Sequence, residues 1–193
     1  MWDSLTQIFK IRNVIALCSA RVAFAISMGV FSTIFPVYAG SRLGFTSSLI
    51  SIFFSIRGLT NVLTRMPAGR LSDKIGRRKP FVLAYSIAVI AFILLAYTEN
   101  PTLLMGVMAL YGVGWGMRVA PSTALLTESV ALEDRPVALA TFMTMFDIGS
   151  TIGALLAGFT ATYLSPPTLM LVCVPIMFSA LMAFLLLSKE VVN

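Results

Sequence analysis

Four ionisable side chains, Arg21, Arg57, Arg118 and Asp147, sit deep inside long apolar runs of the sequence. An arginine at the centre of a bilayer costs around 2.5–3.5 kcal/mol on insertion scales, so such groups are seldom idle. They suit ligand binding, proton coupling or a buried ion pair. Three bases against one acid leave an excess of positive charge, which points to an anionic or strongly polar small molecule. Asp147 then serves either as partner to an arginine or as a proton-coupling carboxylate. The competing structural account has Arg21 snorkelling to the membrane surface and Arg57 paired with Asp147 to fix helix packing. Other chemistries are excluded by composition. The chain has no histidine, which removes His-based triads, zincin sites and haem ligation. Cys18 and Cys173 both lie in apolar runs, so neither a disulfide framework nor a cysteine metal site is credible. There is no Gly-x-Ser-x-Gly elbow, and Asp147 is the sole carboxylate near mid-depth, one too few for a two-carboxylate intramembrane protease. The expectation is a protein that is not an enzyme, with no cofactor and no metal.

The elements that position these charges follow from composition. Of 193 residues, 58% are hydrophobic and 11% charged, with a mean hydropathy of +0.92, against about 25% charged in a soluble domain. A helical span needs roughly 20 mostly apolar residues. Six stretches qualify, at about Val14–Ala39, Thr46–Ala68, Pro80–Thr98, Leu103–Thr127, Pro136–Leu164 and Thr168–Ser188. Short connections carrying turn residues join them, and the alternating ten-residue segments of a β-barrel are absent. The first run is too long for a signal-peptide core and lacks a small-residue cleavage site, so it is expected to be a retained helix. The fold class is an all-α membrane protein with six transmembrane helices. Residues 1–13 form a cytoplasmic or interfacial segment, 14–188 the bundle and 189–193 a cytoplasmic tail. Residues 1–12 suit either a short interfacial helix or an inter-domain linker.

At 1.5 Å per residue, Arg21 lies roughly 13 Å from the inner face, Arg118 roughly 15 Å, and Arg57 and Asp147 roughly 18 Å each. All four share one layer. On the fourth span, Tyr111, Trp115, Arg118 and Ser122 share a face, while Gly112, Gly116 and Ala120 form another. On the fifth, Asp147 shares its face with Met143, Ser150, Thr151 and Ala154, opposite Gly149, Gly153 and Ala157. On the second, Asn61 and Thr64 follow Arg57 on its face. The glycine strips predict close helix contacts, and the polar and aromatic faces predict a water-filled cavity.

Basic residues set the orientation. With both termini inside, the inner segments hold Lys10, Arg12, Arg70, Lys74, Arg77, Arg78, Lys79, Arg135 and Lys189, and the outer loops only Arg42. Such a positive-inside bias makes the net charge of +6 a report of topology and of contact with anionic inner-leaflet lipid, not of nucleic-acid binding.

Between the second and third spans the chain reads Gly69-Arg70-Leu71-Ser72-Asp73-Lys74-Ile75-Gly76-Arg77-Arg78-Lys79-Pro80. Its two glycines predict a tight turn, with one acid among five bases. The order of these residues closely resembles the G-x-L-x-D-x-x-G-R-[RK] signature of the major facilitator superfamily. Glu128 and Arg135, with six residues between them, resemble a spacing at the equivalent loop of facilitators, especially sugar porters. The resemblance covers essentially the whole chain, but family members usually have twelve helices in two halves, each of 3+3 inverted repeats, and this chain has one half. The R-x-x-q-G motif of helix 4 is absent, with Met108 and Leu110 where its arginine would fall. The antiporter motif of helix 5 is incomplete, since Ala154 replaces its proline and Ala157 a glycine. These departures favour the C-terminal half and put an antiporter mechanism in doubt.

What the resemblance implies is alternating-access transport of a small solute at the bilayer midplane, across the cell membrane. The implied gate latch comprises Gly69, Arg70, Asp73, Gly76, Arg77, Arg78, Glu128 and Arg135, with Asp73, Arg77, Glu128 and Arg135 as its charge network. A set of solvated head-group contacts would be the plainer alternative. Because the first and fourth helices of a half line the cavity, Arg21 and Arg118 would lie beside substrate, with Tyr111 and Trp115 on the same face. Arg57 and Asp147 would lie at the interface with the other half. The implied partners are membrane lipid, a small-molecule substrate of anionic character, and a second six-helix half or a second copy. A non-transporting remnant, or an assembly subunit of a split transporter, is the alternative.

Overall fold

The computed structural model describes residues 8–188, so residues 1–7 of the expected N-terminal segment and the expected tail, 189–193, lie outside the described residues. Among the described residues there are six helices long and apolar enough to cross a membrane. They are α1 (Arg12–Ser41), α2 (Ser47–Ile75), α3 (Arg78–Tyr97), α4 (Pro101–Glu128), α5 (Arg135–Thr160) and α6 (Pro166–Leu187). The sequence sets their starts locally. Thr46, Asn100 and Ser165 accept hydrogen bonds from the first free amides of α2, α4 and α6, and proline stands in the first turn of α4, α5 and α6, where its missing N–H costs nothing.

One boundary differs from expectation. The segment 69–80 is not an extended turn, because α2 runs on through Ile75 and the reversal is confined to Gly76, at φ 89°. Gly69 stays helical, and a Cβ added there would meet the Ala120 Cβ at an ordinary 3.6 Å. Lysine, arginine and leucine are good helix formers and tolerate the extension. Only Gly76 needs the left-handed backbone that a side chain resists.

The packing repeats itself. Helix α1 lies against α5 and α6, α4 lies against α2 and α3, and α3 meets α6. Exchanging the first three helices with the last three reproduces the same set of contacts. Helices α1 and α4 therefore form the centre, flanked by α5 and α2, with α3 and α6 behind. Glycine sets how closely the flanks approach. A Cβ on Gly153 or Gly149 would overlap Ile26 or press on Ala25 and Val22 of α1, and one on Gly112 or Gly116 would strike the backbone of α2 at Arg57 and Asn61. Gly29 closes α1 on Ser150 and Ala154 of α5 in the same way. In an apolar solvent no hydrophobic force drives helices together, and such close backbone approach supplies the van der Waals contact instead.

Burial is uneven. In α1, 72% of the most apolar stretch is enclosed, against 11% in α2 and 17% in Leu132–Thr160, which contains α5. The flanking helices use one narrow seam each and leave the rest of their surface open. Placing valine at Gly153 should therefore separate α1 from α5 and cost about 1–3 kcal/mol of overpacking strain, read as a lowered melting temperature in detergent. Gly158→Ala, where a Cβ meets nothing within 4 Å, should leave that temperature unchanged.

Candidate functional site at the centre of the bundle

The three arginines expected at mid-depth are linked to one another through aromatic rings. Arg57, half-buried on α2, lies 4.8 Å from the Phe54 ring, 5.2 Å from Trp115, 5.5 Å from Phe31 and 5.8 Å from Tyr111. Trp115 stacks on Tyr111 and on Phe146 of α5, each at 6.4 Å. Arg21 lies 5.0 Å from Phe146 and 4.2 Å from Phe142, with Nη2 against Met143 Sδ at 3.3 Å. Arg118 is covered to 1% exposure and sits 3.8 Å over Phe24, whose ring also meets Trp115, Tyr111 and Tyr85. Cation–π attraction is worth most where water is excluded, about 2 kcal/mol or more. It lets three guanidinium groups share one apolar bundle.

Carboxylates do not neutralise them. Among the described residues the ion pairs are those of Arg77, so the expected Arg57–Asp147 pair is not formed. Asp147 is exposed on the open side of α5 and acts on Arg21 electrostatically from beyond contact. Nor does Arg21 snorkel outward, since it is buried and held by α5. Arg118 is buried as well, over the Phe24 ring rather than at an open surface. Five donor atoms of Arg57 and Arg118, namely Nε and Nη1 of the first and all three nitrogens of the second, are buried without a hydrogen-bond acceptor, as is the Tyr111 hydroxyl.

The rings Phe24, Phe54, Phe142 and Phe146 were not singled out by sequence reasoning. The signal was present in Phe142 and Phe146, one turn apart on α5 and adjacent to Met143 and Asp147. Arg65 was also passed over. It lies within the second span and is held through Nε and Nη2 by Asn61 Oδ1 at 3.1 and 2.7 Å.

A second cluster closes the ends of α2, α4 and α5. Arg77, the residue after the Gly76 pivot, donates to Glu128 Oε1 from Nε at 3.0 Å and Nη2 at 2.9 Å, to Ser72 Oγ at 3.3 Å and to Asp73. Its hydrogen bonds to Glu128 and then to Asp73 raise the Arg77 pKa above its ordinary value. Arg135 does not join this network. Its Nε donates to the Thr127 carbonyl at 3.0 Å, satisfying one of the free carbonyls at the end of α4. Arg70 is exposed, and Arg78 donates to the Leu185 carbonyl of α6.

Both the fold and the sequence have known counterparts. The family model described as Major Facilitator Superfamily matches residues 17–192. The chain belongs to the Major Facilitator Superfamily. It is 30% identical over 125 residues to human solute carrier family 67 member A1, covering 63% of this chain and 29% of that protein. It is 30% identical over 115 residues to the multidrug efflux pump LfrA of Mycolicibacterium smegmatis, covering 58% and 23%. It is 29% identical over 101 residues to a gallate transporter of Pseudomonas putida, covering 52% and 22%. A solved structure from work on substrate recognition in proton-dependent oligopeptide transporters superposes with a TM-score of 0.81 at 17% identity, over 93% of this chain and 42% of that one. The facilitator chain thus has the fold of one six-helix half and spans less than a third of the curated relatives named. It is an integral, multi-pass membrane protein.

The Arg77–Glu128 contact ties the α2–α3 turn to the end of α4. A double-mutant cycle using Arg77→Gln and Glu128→Gln should give a coupling of about 1 kcal/mol in thermal stability, weaker in high salt. The cycle Arg135→Gln with Glu128→Gln should give none.

Proposed function

We propose that this facilitator chain forms one half of a secondary transporter that carries a small anion by alternating access, in which two bundles rock about a midplane site. The observation that carries this reading is the exposed carboxylate of Asp147 beside a ring-bound cluster of arginines on a face that α2 and α5 leave open. A lone carboxylate at that depth is not left against lipid. Water or a second bundle must cover it. The second bundle is either another facilitator half, in the same polypeptide or a separate one, or a second copy. The departures in helices 4 and 5 support assignment to the C-terminal half.

In this reading Arg57 and Trp115 form the wall that meets the solute. Tyr111 braces Arg57, and Asp147 acts as coupling carboxylate or as the partner that an arginine takes between states. Arg21 and Arg118 lie behind the wall and raise the local positive potential. A guanidinium beside stacked rings suits a flat carboxylate. The names of two relatives, a gallate transporter and a multidrug efflux pump, fit the same chemistry of an apolar wall with or without a required anion. The excess of arginine selects the anion. The Arg77 cluster serves as the inner latch, joining α2, the α2–α3 turn and α4 in one conformation and releasing them in the other. The same reading places the protein in the cell membrane with both ends in the cytoplasm, where its bases lie.

Uptake into energised membranes, with a panel of aromatic carboxylates, aliphatic carboxylates, sugars and cationic drugs, tests the proposal. Aromatic carboxylates should be carried best. Arg57→Ala should lower their uptake roughly thirtyfold or more, the scale of losing a buried charged contact, with the protein still folded. Asp147→Asn should remove dependence on the ion gradient. Anion uptake unchanged in Arg57→Ala would overturn the assignment, and a partner's transport indifferent to both variants would favour an assembly subunit.

A further inference from the structure

The back of the bundle carries a feature that the transport reading does not use. Between α3 and α6 lies a groove of about 550 Å³ lined by Arg78, Lys79, Val82, Leu83, Ser86 and Leu185. Its two ends differ in kind. Arg78 and Lys79 begin α3 and stand at its mouth, and the remainder is apolar except for Ser86. From Arg78 to Ser86 the helix rises about 12 Å, less than half of a hydrocarbon core about 30 Å thick. The groove therefore runs from the membrane surface into a single leaflet.

Charge at the mouth is not balanced from within the protein. The nearby acids, Asp73 and Glu128, are both engaged by Arg77. Arg78 is pinned through Nη2 to the Leu185 carbonyl, which holds its guanidinium across the groove, while its Nε is buried without an acceptor. Lys79 is exposed beside it. At the neighbouring end of α6, the buried Ser188 hydroxyl also lacks a partner. A fixed, half-buried arginine and an adjacent exposed lysine above an apolar channel are complementary to a phosphodiester joined to an acyl chain.

We propose that this groove is a binding site for one anionic glycerophospholipid, its phosphate held by Arg78 and Lys79 and an acyl chain laid along Val82, Leu83 and Leu185. The bases at the mouth, not the leaflet, set the preference, so the site does not depend on the orientation of the chain or on its substrate. A bound lipid would join α3 to α6, the two outer helices that otherwise meet along one seam.

Native mass spectrometry of the protein released from vesicles of equal phosphatidylglycerol and phosphatidylcholine tests this. The wild type should retain one phosphatidylglycerol in preference to phosphatidylcholine. Arg78→Gln with Lys79→Gln should lower that retention roughly twenty-five-fold, since each interfacial base contributes a factor of about five. Leu83→Trp, which fills the channel and keeps both charges, should lower it too. Lys74→Gln, whose base lies outside the groove, should not. Equal retention of the two lipids by the wild type would overturn the proposal, as would unchanged retention in the double variant. Loss in the double variant but not in Leu83→Trp would reduce the site to surface charge and overturn the acyl groove.

Discussion

Positive charge inside a medium that cannot solvate it is the constraint around which this bundle is built. Arg21, Arg57 and Arg118 each lie over at least one aromatic ring, and among the described residues no carboxylate pairs with them. The rings come from α1, α2, α4 and α5, so the cluster exists only when those four helices are drawn together. Glycine does this. Gly112 and Gly116 set α4 on α2, and Gly149 and Gly153 set α5 on α1, at separations where Trp115 can touch Phe24, Arg57 and Phe146 at once. Packing and electrostatics are thus one problem here. The seams that hold the helices also place the rings that make the arginines tolerable.

The ends of the helices obey a different logic, because water and head groups are near. Five bases crowd the α2–α3 region, and Arg77 takes both nearby acids. Arg78 reaches the Leu185 carbonyl of α6, Lys79 beside it is exposed, and Arg135 satisfies a carbonyl of α4. Bases of one charge near the helix ends therefore do separate things: Arg77 ties the turn to α4, Arg78 ties α3 to α6, and Arg135 caps a helix end. The pivot beneath them is a single glycine, Gly76, whose positive φ lets α2 stop and α3 begin within two residues.

Much of this was legible beforehand. Apolar length gave six spans whose ends fall within a few residues of the observed helices, except that the second helix runs seven residues past Ala68, and the 69–80 pattern together with Glu128 placed the family. The glycine strips make the close helix contacts that periodicity predicts. What escaped notice was how charges are satisfied. The one-dimensional pattern offered Arg57 with Asp147 as the structural alternative at matching depth, and the family resemblance implied that Arg135 joins Glu128, Asp73 and Arg77 in the latch. The pairs fail in three dimensions, since α2 and α5 lie on opposite flanks of the α1–α4 centre and Arg135 meets a nearer carbonyl. Tyr111 and Trp115 stood out by sharing the face of Arg118, and Phe142 and Phe146 carried a spacing signal that was not used, whereas Phe24 and Phe54 carried no mark of their role. The Gly69 pivot failed for a local reason, as nothing after it obliges the helix to stop before Gly76.

The account rests on the open face of α2 and α5 being turned to water or protein while α3 and α6 face lipid. Nitroxide labels at position 147 on α5 and at Ile90, exposed on α3, read this directly through their relaxation by a polar nickel chelate and by oxygen. The label at 147 should collide with the chelate or be shielded from both, and the label at 90 should collide with oxygen alone. Oxygen-dominated, lipid-like relaxation at position 147 would contradict the central claim.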